Sequence, residues 1–393
     1  MSGFGQYVVM LLFAILGLSI IITDKSTRKH QSSNINHIQT PLGKYGKAHP
    51  PAQRMKFVRK VFFPDNDYSS LAKYSQREGL PTLAFGLLAH SRKTIEGLIE
   101  LLDRVYSPKH LYAIHVDVKV HWDDFKFARE AMKTKTNVVF TKNRINVRWG
   151  SFSIIQAELE LLYTIGMYAV DHQFSFDYFL ILDGSVYPLA PLHTIELEIA
   201  SWPKQSNVVF MNNQTRFGMD RPTCVLDDDG ESCQRTHARC ITDDCLKYSL
   251  TPNNGAIYKG TQWVVLSREF VNYLLTNPDL FLDWVKFFLN AWVPDELFFQ
   301  SVLLNSPMKN KRYQPISELV FTNWGACNHY RNPRQYSPCY HGSRDVPLLA
   351  ASGALFARKF IAGEPAKKEI DLLVTALYTK DESGIPEYTG QYN

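Results

Sequence analysis

The 393-residue sequence contains no C-x-x-C pair and, outside one short stretch, no excess of positive charge. The first absence argues against zinc ribbons and similar metal modules, whose ligands come in such pairs, and only His237 and His329 lie near the six cysteines as further ligands. The second removes the electrostatic footprint of a nucleic-acid binder. The formal net charge of +5 conceals an uneven distribution, because residues 24–60 hold nine Lys/Arg against one acid, Asp24, and the remainder is slightly acidic. Also missing are any Lys or Arg ahead of the first apolar run and a clear small-x-small cleavage site after it. A cleaved signal peptide needs both.

What is present suits a folded domain behind a membrane tether. With 45% hydrophobic and 13% aromatic residues the chain can bury a large core. After a short tail, 1–6, the uncharged run Tyr7–Thr23 is about long enough to span a thin bilayer and reads as a signal-anchor. Residues 24–80, basic and carrying Pro41, Pro50 and Pro51, read as a flexible stem, and 81–393 as the folded domain. Orientation is contested within the sequence itself. Lys25, Arg28 and Lys29 just after the span would keep the bulk cytoplasmic by the positive-inside rule. The sequon Asn213-Gln214-Thr215 and the even count of cysteines point to the lumen instead. Disulfides fit Cys224, Cys233, Cys240, Cys245, Cys327 and Cys339 better than a metal does, with fifteen pairings open.

From Pro81 the pattern alternates. Apolar runs at 82–90, 110–117, 137–141, 178–184 and 207–212 predict buried strands, and 94–107, 122–133 and 152–170 space their apolar residues as helices. This predicts an α/β fold, a mostly parallel sheet flanked by helices. Ligands in such sheets collect at the carboxyl ends of strands, which singles out Asp117 in IHVD and Asp183 in LILDG, although most strand-end aspartates simply cap turns. Residues 259–267 read as a further strand, and 283–307 as two helices broken at Pro294. Asp295 and Glu296 after that proline can be ordinary helix-start carboxylates. Trp292, Leu297, Phe298 and Phe299 around them would instead ready a carboxylate to take a proton. Near the C-terminus SGALFARKF sets Arg358 and Lys359 in a small, apolar frame, which is either a solvated surface pair or a site for a negative group. Asp227–Asp229 formally contain Asp-x-Asp, the pattern of a manganese site, but beside Gly230 and with no strand leading in they read as a solvated turn.

The segments RVYSPKHLYAIHVD, NVRWGSFSIIQAELELL, DYFLILDGSVYPL, KGTQWVVLSREFVNYLL, VPDELFFQSVLLNSP and SGALFARKF, in that order over roughly residues 82–362, together resemble the Core-2/I-branching enzyme family, glycosyltransferase family 14. The resemblance implies a GT-A type nucleotide-sugar transferase fold in a single-pass type II Golgi membrane protein with a lumenal catalytic domain. It implies transfer from a UDP-sugar donor to a glycan or glycoprotein hydroxyl, with inversion and with neither a metal ion nor another cofactor. Glu296 then corresponds to the family's general base, Arg358 and Lys359 to its diphosphate ligands, and Asp117 to its nucleotide contact. Among Trp149, Trp263, Trp292 and Trp324, Trp263 lies in the acceptor-side segment with Gln262, and Asp295 adjoins the base. Two departures stand out. Val186 occupies the place of an aspartate in the family's L-S-G-x-D-[YF]-P, so Asp183 is expected to reach the donor in its stead, and Gln262 replaces an acid of the xylosyltransferases. GlcNAc is the expected donor sugar, with xylose and glucuronic acid as alternatives. A catalytically silent sugar-binding protein on the same fold is the competing class, and a metal-dependent transferase using Asp227–Asp229 a third.

Overall fold

A computed structural model describes residues 79–209, 252–325 and 337–380 except Asn290 and Trp292, together with Cys327 and short strands at 224–226, 233–235 and 386–388. All of them fall in the second of two compact units, 39–393. The expected membrane span, nearly all of the stem, Asn213, Asp227–Asp229, Cys240 and Cys245 lie outside the described residues. Among the described residues no helix is long and apolar enough to cross a membrane.

The first half follows the alternation of its sequence: β1 (Leu83–Ala89), α1 (Arg92–Val105), β2 (Leu111–Val116), α2 (Trp122–Met132), β3 (Val138–Phe140), α3 (Ser153–Asp171) and β4 (Tyr178–Asp183). These strands are parallel, in the order β4-β1-β2-β3. β1, β2 and β4 are buried on both faces, with β3 half-buried at the edge, and the two-residue period divides their side chains. Phe85, Leu87, Tyr112, Ile114, Leu180 and Leu182 pack with α1 in one core, while Ala84, Leu111, Ala113, Phe179 and Ile181 pack with α3 in the other. α1 starts with a capping box at Ser91 and Thr94. It also lies unusually close to the end of β4, where a Cβ on Gly97 would sit 1.9 Å from the Gly184 carbonyl oxygen. Only glycine at both positions permits that approach.

The chain continues through β5 (Tyr187–Pro188), α4 (Leu192–Ser201) and β6 (Asn207–Val208), then β7 (Cys224–Leu226) paired with β8 (Cys233–Arg235). The strand expected over 259–267 is shorter than its apolar run suggests. Only Val265–Ser267, β9, joins the sheet, and it runs antiparallel to β4. The reason is that residues 259–262 give their hydrogen bonds elsewhere, as described below. α5 (Arg268–Thr276) and α6 (Pro278–Phe288) follow, α6 beginning five residues before the expected helix because Pro278 opens its first turn. Pro294–Glu296 form a 3-10 turn that leads into α7 (Phe298–Leu304). β10 (Arg312–Tyr313) closes the far edge of a seven-stranded sheet of order β10-β6-β9-β4-β1-β2-β3. β11 (Val320–Thr322), α8 (Val346–Ala350), β12 (Phe356–Arg358) and α9 (Ala366–Leu377) complete the domain, and a second sheet of order β11-β12-β5 carries the cationic segment.

Candidate active site

Because β9 opposes β4, the residues that precede it project past the carboxyl ends of β4, β1 and β2. Asp117, Asp183 and the segment 259–264 therefore share one edge of the sheet. Asp117 and Asp183 flank β1, two strand spacings apart across the sheet and two residues apart along it, or about 12 Å in all.

Each aspartate organises its own strand end. Asp117 is buried; its Oδ1 accepts from the Lys119 amide at 2.8 Å, and its Oδ2 from Lys119 Nζ at 2.6 Å and the Val147 amide at 3.1 Å. Asp183 Oδ1 accepts from the Ser185 amide at 2.7 Å and the Ser185 hydroxyl at 2.6 Å, while Oδ2 faces an Arg358 Nη at 3.8 Å. Val186, at the family's aspartate position, is buried in the core with α1.

Arg358 ends β12, which pairs with β5, the strand just after the Asp183 turn. The Phe360 amide then donates to the Ser185 carbonyl at 2.8 Å, so the cationic segment and the Asp183 turn are tied directly. On the other side lies a short segment fixed by the Cys327–Cys339 disulfide. There the Lys359 amide donates to the Cys339 carbonyl at 3.4 Å, and the His341 amide to the Lys359 carbonyl at 2.8 Å. His341 Nε2 is 2.8 Å from the Arg358 carbonyl, and since a carbonyl only accepts, that nitrogen carries the proton. Burial holds this imidazole below its ordinary value. The backbone of both cations is thus pinned from two sides.

The Arg358 guanidinium lies over the Trp263 ring, with Cζ 4.7 Å from the centroid. Its Nε is buried and has no hydrogen-bond partner among the described residues. A stacked, partly unsatisfied guanidinium at a strand end is well suited to receive phosphate oxygens. Lys359 Nζ reaches Ser337 Oγ at 3.4 Å. Trp263 itself is only 4% exposed, whereas Trp149 and Trp324 are 69% and 63% exposed, so of these candidates the two with open indole faces are Trp149 and Trp324. Trp292 lies outside the described residues.

The same segment leads to the other end of the site. The Gly260 amide donates to the Glu296 carbonyl at 2.8 Å, and Lys259 Nζ lies 3.4 Å from Glu296 Oε2. Gly260 and Trp263 are three residues apart, at most about 11 Å of chain. Glu296 and Arg358 therefore border one stretch of backbone. The turn bearing Glu296 enters through Val293, whose φ of 53° is the left-handed conformation that a β-branched residue disfavours. The Val293 amide is held by the Gly150 carbonyl at 2.8 Å, and strain of about 1–3 kcal/mol is fixed immediately before Asp295 and Glu296. Asp295 is buried, while Glu296 keeps part of its carboxylate open.

A residue not anticipated from the sequence sits beneath. Glu158, in the middle of α3, is wholly buried, and Gln262 Nε2 donates to its Oε1 at 2.8 Å. Burial, and after it the nearby Asp295 carboxylate, push the Glu158 carboxyl well above the usual range, against the hydrogen bond from Gln262. The available signal was helical spacing. Glu158 falls on the apolar stripe of Ile155, Leu159 and Leu162, where a solvated carboxylate cannot be.

Comparison with known proteins adds the following. The family model described as Core-2/I-Branching enzyme matches residues 83–349, well over half of the chain. The chain is 26% identical over 303 residues to the xylosyltransferase oxt of Drosophila melanogaster, covering 73% of this chain and 32% of that protein. It is 23% identical over 326 residues to a beta-1,3-galactosyl-O-glycosyl-glycoprotein beta-1,6-N-acetylglucosaminyltransferase 4 of Danio rerio, covering 77% and 71%. With the human N-acetyllactosaminide beta-1,6-N-acetylglucosaminyl-transferase it shares 26% identity over 298 residues, covering 72% and 69%. The chain thus spans about a third of the xylosyltransferase it matches and over two thirds of the two N-acetylglucosaminyltransferases.

Proposed function

The chain belongs to the Core-2/I-branching enzyme family, and on that premise we propose that it is an inverting, metal-independent glycosyltransferase of GT-A type that uses a UDP-sugar. The observation that carries this reading is the shared segment 259–263, which contacts the Glu296 turn at one end and the Arg358 guanidinium at the other. Glu296 takes the proton from an acceptor hydroxyl of a glycan or glycoprotein as its oxygen bonds to the anomeric carbon. The bond from that carbon to the diphosphate oxygen breaks on the opposite face, giving a β-linkage. The electron pair leaves with UDP, and Arg358 and Lys359 stabilise the charge that grows on the β-phosphate. Asp117 and Asp183 border the donor, Asp183 by holding Arg358. Gln262, Trp263 and Asp295 shape the wall between donor and acceptor. GlcNAc is the proposed sugar. Xylose is the second reading, favoured by the likeness to a xylosyltransferase and opposed by Gln262, which stands where those enzymes have an acid. Residues 7–23 would anchor the chain in the Golgi membrane with this domain lumenal, and Asn213 would carry a glycan.

The test is turnover of UDP-GlcNAc, UDP-xylose and UDP-glucuronic acid by the full chain, with and without EDTA. One donor should be consumed at a rate that the chelator leaves unchanged. Folded protein that binds UDP and consumes none of the three would establish the silent sugar-binding reading instead. EDTA inhibition reversed by manganese would restore the Asp227–Asp229 alternative.

A further inference from the structure

Three successive residues of the shared segment are each tied to a different element. The Gly260 amide is bound by the Glu296 carbonyl at 2.8 Å. The Thr261 carbonyl accepts from Gln300 Nε2, on α7, at 2.6 Å. Gln262 donates to Glu158, on α3, at 2.8 Å. The first two bonds join the segment to the turn and helix that carry Glu296, and both partners could shift together. Only the third fixes it to the long helix under the sheet, and α3 also packs directly on the Pro294–Glu296 turn.

Glu158 is a costly way to make that bond. A carboxyl with no exposed surface, on a stripe otherwise filled by Ile155, Leu159 and Leu162, gives up the burial a leucine would contribute. Its Oε2 has no hydrogen-bond partner among the described residues, so one polar atom is left unsatisfied. Nor can Glu158 touch substrate. Whatever it does is transmitted through Gln262 and through the turn that bears Asp295.

We propose that Glu158 and Gln262 form a positioning strut for the reaction, a buried acid–amide pair that holds residues 260–262 and the Pro294–Glu296 turn in the register Glu296 needs. The inference rests on the reading of Glu296 as the base. Oε1 accepts from Gln262, and burial, with the Asp295 carboxylate after it, favours the neutral form of the acid. What matters is the length of the side chain and its accepting oxygen, not its charge. The strut acts chiefly on turnover, because the Arg358 backbone is held independently of residues 260–262 by β11, β5 and His341.

Two variants of the full chain separate these properties. Glu158→Gln keeps length, neutrality and an accepting oxygen; Glu158→Asp keeps the acid but withdraws it by one methylene. The readouts are kcat and donor KM, and, independently of activity, hydrogen exchange at the Gly260 amide. Glu158→Gln should stay within about threefold of wild type in both, whereas Glu158→Asp should lose kcat by on the order of tenfold or more at unchanged donor KM, because small misplacements of a reacting group are costly. Gly260 protection should fall in the Asp variant alone. Wild-type protection and kcat in Glu158→Asp would overturn the strut, as would equal losses in both variants or a loss confined to Glu158→Gln. A wild-type chain that turns over no UDP-sugar would refute the function, while Gly260 exchange would still decide the strut.

Discussion

Replacing Arg358 probes the donor side most directly. Its side chain is only 16% exposed, lies over the Trp263 ring with Cζ at 4.7 Å, and meets Asp183 at 3.8 Å. Neither contact uses the guanidinium fully, since Nε lacks a partner among the described residues. If the group receives diphosphate oxygens, Arg358→Ala removes at least one charge-assisted hydrogen bond, worth about 1.5–3 kcal/mol, or roughly a 10- to 150-fold loss of UDP affinity. Arg358→Lys should recover part of this, because it restores the charge without the planar fork or the stacking. Calorimetric titration with UDP measures the effect, and titration with uridine supplies the control. Only UDP should weaken, because uridine carries no phosphate for the guanidinium to bind. Asp183 keeps both Ser185 hydrogen bonds in the variant, so the strand end is expected to hold its shape. UDP binding as tight as wild type in Arg358→Ala, or an equal loss for uridine, would refute the phosphate role.

Glu296→Gln should lower turnover by about 10²–10⁴-fold, the usual contribution of a general base, with UDP affinity unchanged by titration. Cys339→Ser opens the Cys327–Cys339 disulfide, which closes a short loop beside the Lys359 and His341 backbone bonds; an unfolding titration should show a loss of about 2–3 kcal/mol, with UDP affinity falling in parallel. His115 is buried, accepts from the Ile145 amide at 2.8 Å, and is held down at about 3, first by burial and then by Arg144 and Lys119. Because its folded value lies below its ordinary one, its contribution to stability is complete above about pH 6.5 and is lost as the pH falls toward 3, at up to about 1.4 kcal/mol per pH unit. Denaturant midpoints between pH 7 and pH 4 should show this slope, and His115→Gln should flatten it.

The parallel half of the fold was legible because its strands are buried on both faces and its helices are amphipathic, so the two periods alternate cleanly from Leu83 to Asp183. Asp117 and Asp183 followed from that reading, since a strand's end in sequence is also its end in space. The second sheet was not legible. β5, β11 and β12 are two or three residues each and come from distant parts of the chain, too short for any period to show. Their adjacency is what brings Arg358 to Asp183, and only the cationic pair in an apolar frame hinted at it. The run KGTQWVVLS misled about strand length for a related reason. Its first residues are apolar or polar in a strand-like way, but Gly260, Thr261 and Gln262 bond to the Glu296 turn, α7 and α3 in place of a neighbouring strand. Glu158 is hidden in the sequence because a glutamate in a strong helix reads as solvated unless its angular position is set against Ile155 and Leu162.

The antiparallel β9 explains why these parts meet at all. Had β9 entered parallel to β4, the residues before it would have approached from the amino ends of the sheet, away from Asp117 and Asp183. Reversed, it delivers Lys259–Trp263 across the carboxyl ends, where one short length of backbone faces the Glu296 turn and the Arg358 stack in succession. Covalent geometry limits the backbone between the two contacts, from Gly260 to Trp263, to at most about 11 Å, so the Glu296 turn and the Arg358 stack are attached to neighbouring points of one chain segment. A reaction that needs both groups at once would gain from that shared attachment, because it limits how far one can move without the other. The strained Val293 on one side and the doubly pinned Arg358 backbone on the other serve that same constraint, since each fixes one of the two groups at a cost the fold bears elsewhere.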